Sequence, residues 1–129
     1  MRLPFYIAVA LYCGAIFYMS HQSHPVPEEY QFDGLDKIVH VFLYGGLTAL
    51  VSAGIRTAPR RASAMRQFWV PIVFAVSFGI VDEFHQYFIP LRNFDPLDVV
   101  ANTTGALLAQ VALCLGLWRI SRRAIAGRP

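Results

Sequence analysis

Charge is what this chain has least of. Only 15% of its residues are Asp, Glu, Lys or Arg, against roughly 25% in soluble globular domains, while 56% are hydrophobic. A soluble domain of 129 residues has too little interior for that much apolar surface, so the composition excludes an ordinary soluble fold and points to an integral membrane protein of one domain spanning 1–129. Cysteine is scarce as well. Cys13 and Cys114 both lie inside apolar runs, which excludes a disulfide framework; neither has a polar neighbour that would stabilise a thiolate, so both read as packing residues. There is no G-x-S-x-G turn to present a serine nucleophile, no internal repeat and no low-complexity segment.

What is present is four long apolar runs, about 4–20, 38–55, 68–90 and 97–118. The first is short for a membrane span and resembles a signal peptide in position. No small-x-small cleavage site closes it and three more runs follow, so it reads as a retained helix. A polar connection with His21, His24, a Pro-Val-Pro turn, Glu28, Glu29, Asp33 and Asp36 leads to the second run. The third accommodates Pro71 in its first turn and ends at Pro90, and a six-residue link, 91–96, makes the third and fourth helices an antiparallel pair. The expected fold is all-α, a membrane four-helix bundle.

Charge placement tests that reading independently of hydropathy. Nine of the eleven basic residues lie at the N-terminus, in the connection after the second run (Arg56, Arg60, Arg61, Arg66) and in the tail (Arg119, Arg122, Arg123, Arg128). All eight acids lie at the other end of the spans. The positive-inside rule therefore predicts both termini in the cytoplasm and the acids facing outward from a bacterial inner membrane. Topology accounts for the arginines, and nucleic-acid binding is excluded as a reading of them.

The outer ends of three helices carry polar side chains on matching faces. In the third run Asp82, Gln86 and Gly79 share one arc, with Glu83 next and His85 at its flank, while Ile80, Val81, Phe84 and Phe88 occupy the rest. Asp82 is expected roughly 12 Å along the helix from Pro90 at 1.5 Å per residue. Facing lipid there it would cost about 2.5–3.5 kcal/mol, so it must face protein or water. In the second run Asp36, His40 and Tyr44 recur at i, i+4, i+8 beside Lys37. In the fourth, Asp95, Asp98 and Asn102 share a stripe that continues as Gly105, Ala109, Ala112 and Gly116, small residues that permit close helix approach.

Structural roles compete for several of these residues. Asp95 before Pro96 reads as an N-cap with Asp98 at N3, and Asp33 with Asp36 offers the same device to the second helix. Arg92 can neutralise Asp82 or Glu83 as an ion pair, and His85 can be an interfacial histidine. Capping does not account for Asp82, Glu83, Gln86, His40 and Asn102 together. Two adjacent acids inside a span repel one another and lose hydration, and a buried acid-base cluster of this kind is a site candidate.

The pattern Asp36-Lys37-x-x-His40-x-x-x-Tyr44, followed by Asp82-Glu83-x-x-Gln86-x-Phe88-x-Pro90-x-Arg92-x-x-Asp95-x-x-Asp98-x-x-x-Asn102-x-x-Gly105, resembles the VanZ-like family. The motif spans residues 36–105 and the topology the whole chain. By position the resemblance implies Asp36, Lys37, His40, Tyr44, Asp82, Glu83, Gln86, Arg92, Asp95, Asp98 and Asn102 as the characteristic polar residues. It also implies a small bacterial membrane protein whose namesake raises resistance to teicoplanin-type glycopeptides without remodelling the peptidoglycan precursor.

Three functional classes are weighed. The first is an outer-leaflet pocket that binds or modifies a membrane lipid, a lipid-linked wall precursor or an acylated glycopeptide, with Asp36, Lys37, Tyr44, Gln86, Arg92, Asp98 and Asn102 as ligand contacts. The second is an intramembrane enzyme on a lipid headgroup, with Asp82 or Glu83 as general base and His40 as partner. An Asp/Glu/His set of this type can hold a divalent cation, although nothing in the sequence requires a cofactor. The third is a small transporter, for which four short helices would have to form a homo-oligomer. The absence of acids from the first span and of ionisable groups from the cytoplasmic halves of the spans counts against it.

Overall fold

The computed structural model describes residues 3–22, 32, 34–60 and 62–126. His24, Glu28, Glu29, Asp33, the Pro-Val-Pro turn and Arg2, Arg61 and Arg128 lie outside them. Four helices follow one another, α1 (Leu3–Ser20), α2 (Leu35–Arg56), α3 (Ala64–Gln86) and α4 (Pro96–Ala126), with no strand among the described residues. Each is long and apolar enough to cross a membrane. The outward surface agrees: Phe42 is 74% exposed, Phe84 60% and Leu108 60%, an arrangement suited to hydrocarbon and not to water.

Helix directions alternate, so the C-terminal ends of α1 and α3 meet the N-terminal ends of α2 and α4 at one end of the bundle. α2 is the central element and packs on all three others, whereas α1 packs on α2 and α3 and makes no close approach to α4. The apolar core consists of Ile16 from α1, Tyr44, Leu47 and Val51 from α2, Ile72 and Ala75 from α3 and Ala106 from α4. α2 and α4 come closest at Gly105, where any Cβ would run into the backbone carbonyl of Val41, and at Gly45, where it would lie 3.2 Å from the Gly105 carbonyl oxygen. Absence of a side chain at these two positions sets the helix spacing.

The small-residue stripe of α4 is a helix contact in its upper part only. Ala112 is exposed and nothing stands opposite Gly116. Beyond Gln110 the two helices meet through the Arg56 side chain, which reaches the Cys114 sulfur at 3.6 Å. Cys114 therefore does have a polar neighbour, contrary to its sequence surroundings. Both cysteines are free and half-buried.

Helix boundaries differ from the hydropathy reading in two further places. α3 ends at Gln86, and the link to α4 runs from Tyr87 to Asp95, turning at Leu91 with φ 66°. Asp82 is thus one turn from the helix end, not eight residues inside it. α3 also starts earlier, at Ala64, behind a Ser63 cap that accepts the Arg66 N–H at 3.3 Å. Pro71 consequently sits in the helix interior, not in the first turn.

A proline there leaves the carbonyl four residues earlier without its donor. That carbonyl belongs to Gln67, and the fully buried Gln110 of α4 donates its side-chain N–H to it at 2.8 Å. A neighbouring helix thus supplies the hydrogen bond that proline removed, as a membrane interior requires. Gln110→Leu should destabilise the detergent-solubilised protein by about 1–3 kcal/mol through the orphaned carbonyl. Pro71→Ala, which restores the missing N–H, should recover most of that loss in the same background. Thermal unfolding of the two single variants and the double variant measures both effects.

Candidate functional site

The end of the bundle where α2 and α4 begin is built from buried polar side chains. Asp82, Glu83, Gln86 and Asn102 are each at most 2% exposed, and His40 and Asp98 are buried as well. The helical arc on α3 explains this directly, since Asp82, Glu83 and Gln86 point inward while Ile80, Val81 and Phe84 point out.

One oxygen of Asp82 collects three donors. Oδ2 accepts from Ser20 Oγ of α1 at 2.7 Å, from Tyr44 Oη of α2 at 3.1 Å and from Gln86 Nε2 at 3.3 Å. Its other oxygen has no partner. Ser20 was not among the candidates. It closes the first apolar run at the end of the bundle that also holds Asp82, and that placement was the available signal.

Glu83, 100° further round the helix, faces α4: Oε2 accepts the Asp95 backbone N–H at 3.3 Å and Oε1 accepts from Gln86 Nε2 at 3.2 Å. Gln86 accepts from Arg92 Nη2 at 2.6 Å through its carbonyl oxygen. Arg92 forms no ion pair with Asp82 or Glu83. It lies on the link after α3, and the last residue of that helix intercepts it one turn above the acids.

Lys37 is the hub on the other side. Its ammonium donates to Asp36 at 2.8 Å and to Asp95, and pairs by charge with Asp98 at 2.7 Å. Asp95 also caps α4, accepting the Leu97 N–H at 2.8 Å, so the capping role expected for it coexists with an ion pair. Asp98 stands in the first turn of α4. At the start of α2 the cap position is Gly34, with φ 84° and no side-chain cap bond; the proposed cap Asp33 lies outside the described residues.

His40 Nδ1 lies 2.8 Å from Asn102 Oδ1. A carbonyl oxygen only accepts, so Nδ1 carries the proton and Nε2 faces the site. Asp98 Oδ2 is 3.8 Å from that Nε2. The His40 and Tyr44 rings are parallel with centroids 6.1 Å apart. Gly79 makes the room: a Cβ there would be 2.7 Å from Asn102 Nδ2 and 3.0 Å from Tyr44 Cε1.

His85 stays outside the cluster. It stacks on Phe17 at 4.0 Å and its Nε2 lies 3.3 Å from His21 Nδ1 in an exposed pair. Of the sequence candidates, Asp36, Lys37, His40, Tyr44, Asp82, Glu83, Gln86, Asp98 and Asn102 come together, with Arg92 joined through Gln86.

A family model described as VanZ/LLP1 matches residues 4–119. The chain belongs to the VanZ/LLP1 family. This VanZ/LLP1 match takes in all four apolar helices and every residue of the cluster, so the multi-pass architecture and the family assignment agree. No curated protein and no solved structure matches the chain.

Two groups of donors in this VanZ/LLP1 chain have spacings compatible with a metal ion, His40–Glu83–Asp98 and Asp36–Asp95–Asp98, each with ligand atoms within 4.8 Å of one another. The second already encloses the Lys37 ammonium, which occupies the cation's place.

Two outcomes follow from this geometry. Ser20→Ala should cost about 1.5–3 kcal/mol with Asp82 present, the range for a hydrogen bond to a charged group, and about 1 kcal/mol or less in an Asp82→Asn background. A double-mutant cycle on thermal unfolding reads the difference, and equal losses in both backgrounds would refute a charged partner. The Lys37 ammonium beside Asp95, followed by the Leu97 N–H, holds the Asp95 carboxyl below the usual carboxylate range. A depressed native pKa stabilises above the unfolded value, and the contribution is lost as pH falls through the native one. Lys37→Met should therefore flatten the acid-side fall in unfolding midpoint measured against pH.

Proposed function

We propose that the chain is an envelope protein of the bacterial inner membrane whose polar cluster opens outward at headgroup level and recognises the polar part of an envelope lipid, a lipid-linked wall precursor or a lipoglycopeptide. The observation that carries this reading is the convergence of Asp82, Glu83, Gln86, Asp98 and Asn102, all buried, at one end of four apolar helices. Intramembrane ionisable groups are expensive, and a bundle that only had to stand would place leucine there.

The side of the membrane follows from charge. The acids gather at the cluster's end, whereas Arg56, Arg60 and Arg66 lie at the other, which the positive-inside rule assigns to the cytoplasm. Family membership supports the association with teicoplanin-type resistance, because that drug carries an acyl chain able to sit beside exposed faces such as Phe84 and Phe88 while its polar part meets the cluster. Binding is favoured over turnover by the absence of a sequence nucleophile and by the engagement of Asp82 Oδ2 and both Glu83 oxygens in hydrogen bonds.

The test is drug susceptibility of a sensitive host expressing wild type, Glu83→Gln or Arg92→Ala at matched levels. Each variant should lose teicoplanin protection while vancomycin susceptibility stays unchanged; removing one charged contact weakens binding by about tenfold or more. Protection that survives both substitutions and disappears only with the whole protein would sink the pocket's role.

A further inference from the structure

We propose that His40, Glu83 and Asp98 bind one first-row divalent cation, with Asn102 setting the orientation of the imidazole. The proposal rests on reading this cluster as the functional pocket and names the cofactor it takes.

The first support is the donor geometry. Three helices each present one ligand atom, from His40 of α2, Glu83 of α3 and Asp98 of α4, within 4.8 Å of one another. Around an ion with bonds near 2.1 Å, tetrahedral ligands sit roughly 3.4 Å apart. His40 Nε2 and Asp98 Oδ2 are 3.8 Å apart, too far for a hydrogen bond and close to that span.

The second is the imidazole itself, which is more than nine-tenths buried. Its Nδ1 is committed to Asn102, so Nε2 is the ring nitrogen left to the site, and it stands 3.8 Å from Asp98 Oδ2, outside hydrogen-bond distance. A ring nitrogen and a carboxylate oxygen at that separation, with Glu83 within 4.8 Å of both, leave a place for a cation between them. A histidine whose other nitrogen donates to an amide oxygen is also the arrangement that orients metal ligands.

The third is uncompensated charge. Asp36, Asp82, Glu83, Asp95 and Asp98 share this end of the bundle with Lys37 and Arg92 alone. Lys37 is engaged by Asp36, Asp95 and Asp98, and Arg92 by an amide oxygen. Glu83 has no cationic partner among the described residues; its contacts are a backbone N–H and an amide N–H, both longer than 3.1 Å. Asp98 gives one oxygen to Lys37 and keeps the other for the ion. One imidazole with two carboxylates selects a first-row ion such as Zn²⁺ or Mn²⁺ over Ca²⁺, which takes an all-oxygen shell. Three protein ligands leave a coordination position open.

The exposed His21–His85 pair is a second place where zinc could lodge, so the test uses full-length protein carrying His85→Ala. Detergent-solubilised protein is stripped with chelator, dialysed against Mn²⁺ or Zn²⁺ alone and assayed for metal by elemental mass spectrometry. A single ion per chain is expected. Glu83→Gln, Asp98→Asn and His40→Ala should each abolish retention, and Asn102→Ala should weaken it by about 10- to 100-fold. Paramagnetic resonance of the Mn²⁺ form should show coupling to one imidazole nitrogen, a signal read with all four residues of the proposed site intact. No retained ion, or retention unchanged in Glu83→Gln and His40→Ala, or bound Mn²⁺ without nitrogen coupling, would each overturn the proposal. Metal retention fails or holds independently of teicoplanin protection: protection without metal leaves the pocket reading standing, and metal without protection leaves the cation site standing.

Discussion

A carboxylate inside a membrane bundle has to be held by donors from its surroundings, because hydrocarbon offers none. Asp82 is the point where this constraint is met. Its Oδ2 takes bonds from α1, α2 and its own helix, so a single oxygen ties three of the four helices at the same level. α1 contributes only Ile16 and Ser20 to the buried set and does not approach α4. Its registration against the bundle therefore depends heavily on the Ser20 bond to Asp82 and on the Tyr12 hydroxyl, which donates to the Leu43 carbonyl at 3.1 Å.

α4 is secured differently. The chain has a single lysine, Lys37, and it sits among Asp36, Asp95 and Asp98, joining the first turn of α2 to the start of α4. Gly105 and Gly45 let the two backbones approach, and His40 and Asn102 meet across the same contact. Close backbone packing and the polar cluster are thus consequences of one another. Helices separated by large side chains would leave His40 and Asn102 out of reach, while helices this close have no room for apolar bulk in the cluster.

Much of this was legible in the residues. Periodicity placed Asp82, Glu83 and Gln86 on an inward arc and aligned Asp36, His40 and Tyr44, because a helical face is encoded by spacing alone. Contacts between helices distant in sequence were less legible. Ser20 was missed since one serine at the end of an apolar run carries no periodic signal, and Gln110 was missed because its role is defined by Pro71 on another helix. Charge offered an ion pair with the acids as one role for Arg92; the end of α3 at Gln86, four residues short of Pro90, gives it an amide oxygen instead. Helix ends depend on which carbonyls find donors, and hydropathy does not report that.

Gln86 explains how two adjacent acids coexist. Asp82 and Glu83 point about 100° apart, one toward α1 and α2 and the other toward α4, so the helix itself divides them between two polar compartments. Gln86, four residues from one and three from the other, donates to both. Its amide could in principle be turned either way, but a guanidinium only donates, so Arg92 fixes the carbonyl oxygen toward itself and the N–H₂ group toward the acids. Arg92 therefore acts on the carboxylates through the orientation of a neutral amide as well as through its charge. That separates two roles an ion pair would merge: Arg92 remains half-exposed at the rim of the bundle, while Asp82 and Glu83 stay unpaired with any cation among the described residues.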